Sequence, residues 1–111
     1  MSINKIGKEA HEINEGNGWS VFATSDWPKT HVETTRINAL CTHMALVHTE
    51  VSEATEAIRH FDRANFDEEL ADVIIRVASI AHGLGTDLDS AIETKLAKNR
   101  KRGWHHGAKA V

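Results

Sequence analysis

The sequence has few of the residues that make cross-links, membrane spans or basic surfaces. Its 111 residues include one cysteine, Cys41, so the chain has no disulfide framework. No apolar run approaches the roughly 20 residues of a membrane-spanning helix, and the N-terminus has no signal-peptide core. The formal net charge is −3 with histidine neutral, which gives no basic surface for nucleic acid. We therefore expect a soluble, cytoplasmic protein that binds neither membranes nor nucleic acid.

Strand patterns and proline are also scarce. The chain has 1 proline, and its apolar residues recur at helical intervals, which predicts an all-α fold. A chain of this length has room for one domain, which we expect to be a four-helix bundle. We divide the domain into an N-terminal helix and loop (1–30), core helices (33–102) and a tail (103–111).

Cap residues place the helices more closely. Ser2 can cap the first helix, and the second is predicted over 33–60. Asp67 is the expected cap of the third helix and Asp87 that of the fourth. Gly103 predicts the end of the fourth helix near residue 102.

The core helices carry two pairs of carboxylates. Glu50 and Glu53 are spaced i, i+3, and so are Glu69 and Asp72, so each pair shares one face of its helix. Both pairs flank an apolar seam, and packing the seams together would gather four anions that repel one another unless cations lie between them. Carboxylates without Cys or His suit Mg²⁺ or Mn²⁺. Spacing alone leaves open that these acids lie on solvated helix faces. The two predicted seams are Ile37, Leu40, Met44, Val47, Val51, Ala54 and Ile58, and Leu70, Val73, Val77, Ile80 and Leu84.

The sequence around these acids resembles that of a known family. An ExxE motif, a spacer of 15 residues and an ExxD motif are followed by LGxDLxxAIxxKxxxNxxR. The stretches LVHTEVSEATEAI, DEELADVIIRVASIAHGLGTDL and AIETKLAKNRKR carry this pattern, which covers roughly residues 37–107. It is similar to that of the MazG-like, all-α nucleoside triphosphate pyrophosphohydrolases.

The resemblance implies an activity and a set of residues. It implies that Glu50, Glu53, Glu69 and Asp72 are catalytic and bind Mg²⁺, or Mn²⁺ in its place. The reaction would cleave a nucleoside triphosphate to a monophosphate and pyrophosphate through a metal-activated water. Family members bury helices against another subunit, which implies a homodimer or homotetramer.

Three residues of the last helix match the KxxxNxxR part of the pattern. Lys95, Asn99 and Arg102 follow i, i+4, i+7 spacing and so share one helix face, which suits phosphate oxygens. The alternative is that Lys and Arg near a helix C-terminus complement its dipole. Arg76, one turn after Asp72, could pair with that acid or reach the triphosphate.

The aromatic residues of the first loop are candidates for base binding. Trp19 and Trp27 could stack on a nucleobase, or they could close the end of the bundle. Two other classes of protein also fit the sequence. One is a catalytically silent oligomer that binds nucleotide or metal, and the other is a structural helical module whose acids only confer solubility.

Overall fold

The computed structural model describes residues 2–110, and the side chains of residues 2–102. This part of the chain consists of four α-helices and one 3₁₀ turn, without strands, which confirms the all-α prediction. Across residues 2–110, no helix is both long enough and apolar enough to cross a bilayer. The helices are α1 (Ile3–Gly16), α2 (Thr34–Arg59), α3 (Arg63–Leu84) and α4 (Leu88–Ala110), and the 3₁₀ turn is Thr24–Asp26.

The starts of α1, α3 and α4 follow short polar side chains, whereas α2 follows Glu33, whose side chain makes no capping hydrogen bond. The Ser2 side chain accepts a hydrogen bond from the backbone N–H of Lys5, as expected of a cap. The prediction that Asp67 caps the third helix was wrong. Asp62 accepts from the backbone N–H of Asn65 at 3.0 Å, so α3 begins five residues earlier than expected. Asp67 lies inside the helix, where it accepts a hydrogen bond from Arg63 at 2.9 Å.

The last helix is longer than predicted. Asp87 accepts from the backbone N–H of Ser90 at 3.1 Å, which confirms this cap. The helix continues through Gly103 and Gly107 to Ala110, so the expected end near residue 102 was wrong. A glycine costs only about 1 kcal/mol relative to alanine inside a helix, which does not by itself end one.

Helix α3 is central, and both α1 and α2 pack against it. The residues buried at these contacts are small, which lets the helix backbones approach closely. A Cβ added at Gly7 of α1 would overlap the backbone carbonyl of Ala78 in α3. The core is therefore thin, and its buried members are Gly7, Ala10, Ala54, Ala57, Ala78 and Gly83.

The face of α2 that meets α3 matches the predicted seam in part, since Val47 and Ala54 lie on it. Met44, Val51 and Ile58 are 48%, 47% and 59% exposed, and Leu70 of the other seam is 46% exposed. These assignments to the seam were wrong. The α2 face that is withdrawn from solvent includes His43, Val47, Glu50, Ala54 and Ala57. A carboxylate therefore lies inside the α2–α3 contact instead of beside it.

Helices α1 and α4 cap each other. The Asn4 side-chain oxygen accepts from the backbone N–H groups of Leu88 at 2.9 Å and Asp89 at 3.1 Å. Asp89 in turn accepts from the N–H of Ile3 at 2.9 Å. The Asn4 amide also donates to Asp87, and this bond, together with that from Ser90, lowers the pKa of the Asp87 carboxyl. This exchange satisfies backbone donors that would otherwise lack partners at two helix starts, and it holds α4 at the start of α1.

The close α1–α3 contact predicts that Gly7→Ala destabilises the protein. The added methyl would collide with α3, and overpacking of this kind costs about 1–3 kcal/mol, which exceeds the helix propensity gained. Urea denaturation followed by circular dichroism measures the change. The matched control is Gly16→Ala in the same helix, where nothing lies within 4 Å of an added Cβ. Equal stabilities for the two variants would contradict the packing described here.

Candidate active site

Three carboxylates meet where α2 crosses α3. One carboxylate oxygen from each of Glu50, Glu69 and Asp72 lies within 4.8 Å of the other two. Glu50 and Glu69 are half-buried in the contact, and Asp72 is exposed at its edge. The i, i+3 spacing on α3 puts Glu69 and Asp72 on one face, and the packing of α2 brings Glu50 to them.

Glu53 joins this group through Glu69. The carboxyl group of Glu69 contacts the carboxylates of both Glu50 and Glu53. Desolvation, followed by these contacts, raises the pKa of Glu69 from 4.5 to about 7. The Glu69 Oε2 atom is buried and has no hydrogen-bond partner among the described residues. Three carboxylates whose oxygens converge, one of them with a buried oxygen that lacks a partner, are a set of ligands that suits a hard divalent cation.

Arg76 pairs with the cluster from α3. Its Nη2 atom donates to Glu50 Oε1 at 3.1 Å, so the expectation of a pair with Asp72 was wrong. Glu50 is the less exposed partner, with 15% of its side chain accessible against 36% for Arg76. The bond joins the two helices at the cluster.

A cavity of about 370 Å³ adjoins the carboxylates. Glu50, Asp72 and Arg76 line it together with side chains of the first loop and of α2. The wall therefore combines a charged part, suited to a cation and an anion, with an apolar part.

Phe22 and His43 form an aromatic part of this wall. Phe22 is a third aromatic residue of the first loop, and the sequence singled out neither it nor His43 as a site residue. Their rings meet edge to face, with centroids 4.6 Å apart. Burial, with a smaller contribution from Arg76, lowers the pKa of His43, which keeps the imidazole neutral near pH 7. Gly83 leaves room for Phe22, since an added Cβ would lie 2.8 Å from the Phe22 carbonyl oxygen. No local pattern marks these residues, because the loop and two helices bring them together.

The candidate base-binding tryptophans differ in position. Trp19 lines the cavity although it is 65% exposed. Trp27 is 64% exposed and does not line it. Of the two candidate base-binding residues, Trp19 therefore lies at the cavity and Trp27 lies outside it.

The candidate phosphate-binding residues lie on α4. Lys95, Asn99 and Arg102 are exposed, and none of them lines the cavity. Helix α4 meets the rest of the described chain mainly at the start of α1. Within one chain, the structure does not bring these side chains to the carboxylates' cavity.

Comparisons with known proteins bear on the same residues. The MazG nucleotide pyrophosphohydrolase domain matches residues 39–106, which include all four acids and the α4 motif. A dATP/dGTP diphosphohydrolase of Cyanophage S-2L is 49% identical over 43 residues. That match spans 39% of this chain and 41% of the relative, so this chain aligns with about two fifths of that protein. No solved structure matches the chain.

The raised pKa of Glu69 predicts the pH dependence of stability without divalent cations. Between about pH 4.5 and pH 7 the unfolded chain releases a proton that the folded protein keeps. This contribution to stability is complete below that range and is lost as the pH rises through it. Glu69→Gln should therefore raise the Tm at about pH 8 in chelator, and the gain should shrink toward about pH 5. The neighbouring exposed Glu68→Gln is the control, and a gain from Glu69→Gln that does not change with pH would contradict the assignment.

Proposed function

We propose, since the chain belongs to the MazG nucleotide pyrophosphohydrolase family, that it hydrolyses a nucleoside triphosphate to a monophosphate and pyrophosphate with Mg²⁺. The convergence of carboxylate oxygens beside a cavity of about 370 Å³ is the observation that carries this proposal. These oxygens would serve as ligands for a cation, and the adjoining space would take part of a nucleotide. Mn²⁺ could replace Mg²⁺ at such ligands.

The residues present fit a divalent cation. Glu50, Glu69 and Asp72 would hold it, and the unpartnered Oε2 of Glu69 would gain a partner. When bound, Mg²⁺ supplies positive charge against the phosphate oxygens and makes water a better nucleophile near neutral pH.

Glu53 has a different position and so a different proposed part. It lies outside the closest group of three but touches Glu69. An exposed carboxylate at the edge of the cluster can either complete the ligand set or accept the proton of the attacking water. No covalent intermediate is needed in either case.

The nucleoside would occupy the cavity between the loop and α2. Phe22 and His43 would form its wall, and the exposed ring of Trp19 would stack on the base. The cyanophage relative is described as acting on dATP and dGTP, which favours purine deoxynucleotides as the first substrates to test.

The phosphate contacts proposed for Lys95, Asn99 and Arg102 need a second copy of the chain. The described side chains of α4 are exposed from Ser90 onward, and those of Ile92 and Leu96 are 38% and 49% exposed. These apolar residues lie on the same side of α4 as Asn99. A homodimer or homotetramer that covered this side would carry the cationic residues toward the partner's carboxylates.

The catalytic proposal predicts that Glu53→Gln and Asp72→Asn each lower turnover by about 100-fold or more. Pyrophosphate release from a panel of triphosphates, with Mg²⁺ and with chelator, measures this. Glu68→Gln, an exposed neighbour of the site acid Glu69, is the control and should keep full activity.

The same assay separates the other two classes of protein. Stabilisation by nucleotide without pyrophosphate release would support a silent binding protein. If nucleotide neither stabilised the protein nor was hydrolysed, the result would support the structural helical module.

The positions of the tryptophans predict different kinetic effects. Trp19→Ala should raise KM by about tenfold with a smaller change in kcat, because base stacking contributes about 1–3 kcal/mol. Trp27→Ala, at a similar exposure but outside the cavity, should leave KM within about twofold of its wild-type value. The reverse order of effects would rule out the proposed base site.

The proposed second copy predicts complementation. Each variant alone should be nearly inactive. Glu53→Gln loses a site acid, and Lys95→Ala loses a phosphate contact. After mixed refolding, a mixed oligomer would contain one site with intact groups from both chains, so activity should return to about a quarter of the wild-type value or more. Mixtures no more active than the Lys95→Ala protein alone would place Lys95 in the site of its own chain, or outside any site.

A further inference from the structure

Arg76 has the same partner that the proposed cation would have. Its Nη2 atom donates to Glu50 Oε1 at 3.1 Å, and Glu50 is also one of the three acids whose oxygens converge. The pair joins two half-buried side chains on different helices, so it is not an ordinary exposed pair within one helix. One carboxylate thus has two possible cationic partners.

The electrostatics favour an exchange between these partners. Without a divalent cation, Arg76 offsets the charge that Glu50 would otherwise bring half-buried to Glu69 and Asp72. A divalent cation bound by Glu50 would lie close to the guanidinium, and the two positive charges would repel. The divalent ion would then supply the positive charge that neutralises Glu50 in place of Arg76.

The position of Arg76 also gives it a second partner. It lines the cavity together with Glu50 and Asp72, where the proposed substrate would place its phosphates. The planar guanidinium can donate two parallel hydrogen bonds to phosphate oxygens. Glu50 and phosphate would therefore compete for the same donors.

We propose that Arg76 neutralises Glu50 while the site holds no divalent cation and turns to the substrate phosphates when one binds. The inference rests on the proposed function, which supplies the cation and the phosphates. Arg76 should weaken binding of the divalent cation and strengthen binding of the triphosphate. An ion pair that only stabilised the fold would change neither affinity in this pattern.

The test measures binding of Mn²⁺ alone by electron paramagnetic resonance, without nucleotide. Arg76→Gln should bind Mn²⁺ about threefold to tenfold more tightly than wild type, since the competing guanidinium is gone. Binding of a nucleoside α,β-methylene triphosphate in Mg²⁺ is then measured by calorimetry. The same variant should bind this analogue about tenfold more weakly.

Arg63→Gln is the matched control, because it removes one positive charge from the same helix outside the cluster. Both of its dissociation constants should stay within about twofold of the wild-type values. Arg76→Met keeps an unbranched apolar side chain at the half-buried position, and it decides the question if Arg76→Gln fails to fold. Circular dichroism checks folding of each variant.

Unchanged or weaker Mn²⁺ binding by the Arg76 variants would overturn the inference. Tighter Mn²⁺ binding with unchanged affinity for the triphosphate analogue would also overturn it. Turnover by wild-type protein is measured separately. A protein without pyrophosphatase activity would remove the proposed function, whereas the Mn²⁺ result would still decide whether Arg76 competes for Glu50.

Discussion

The carboxylates that meet across the α2–α3 contact set the electrostatics of the candidate site. Glu50 and Glu69 are half-buried there, with oxygens near each other and near Asp72. Ionised carboxylates at such distances repel, and partial burial strengthens the repulsion. Two features of the protein offset this cost. Arg76 pairs with Glu50, and Glu69 holds its proton more tightly than an ordinary carboxyl does.

The small residues of the core make this arrangement possible. Ala54 and Ala57 are buried near the acids of α2, and alanine lets the two helices approach closely enough for carboxylates to meet. A core of alanine and glycine buries little apolar surface, so the single chain has limited hydrophobic stabilisation. The apolar residues that α2 and α4 leave exposed, among them Met44, Ile58 and Leu96, agree with the assembly we propose.

The shared helix face of Glu69 and Asp72, the all-α class and the two caps formed by Ser2 and Asp87 could be predicted from the sequence, because helical phase and capping depend on neighbours in the chain. The contacts that depend on packing could not be predicted. The periodicity placed Met44 and Val51 toward α3, whereas the helix presents Glu50 and His43 instead. A charged residue in a helix contact breaks the apolar pattern from which the seam was derived. Such a break is common at functional sites.

The outer parts of the candidate site were least accessible to sequence reasoning. Phe22 reaches the cavity because Gly83 leaves space for it, a relation across 61 residues that no local motif encodes. The residues of the α4 motif can be identified from the sequence. Their separation from the carboxylates within one chain cannot be predicted from it. Helix α4 is placed by its mutual caps with α1 and not by its motif.

The decisive measurement is a crystal structure of the protein with Mg²⁺ and a nucleoside α,β-methylene triphosphate. We expect a metal ion about 2.0–2.1 Å from carboxylate oxygens of Glu50, Glu69 and Asp72. We also expect the base to lie between Trp19 and the wall formed by Phe22 and His43. A metal ion bound elsewhere, with these carboxylates turned to solvent, would contradict the proposed site.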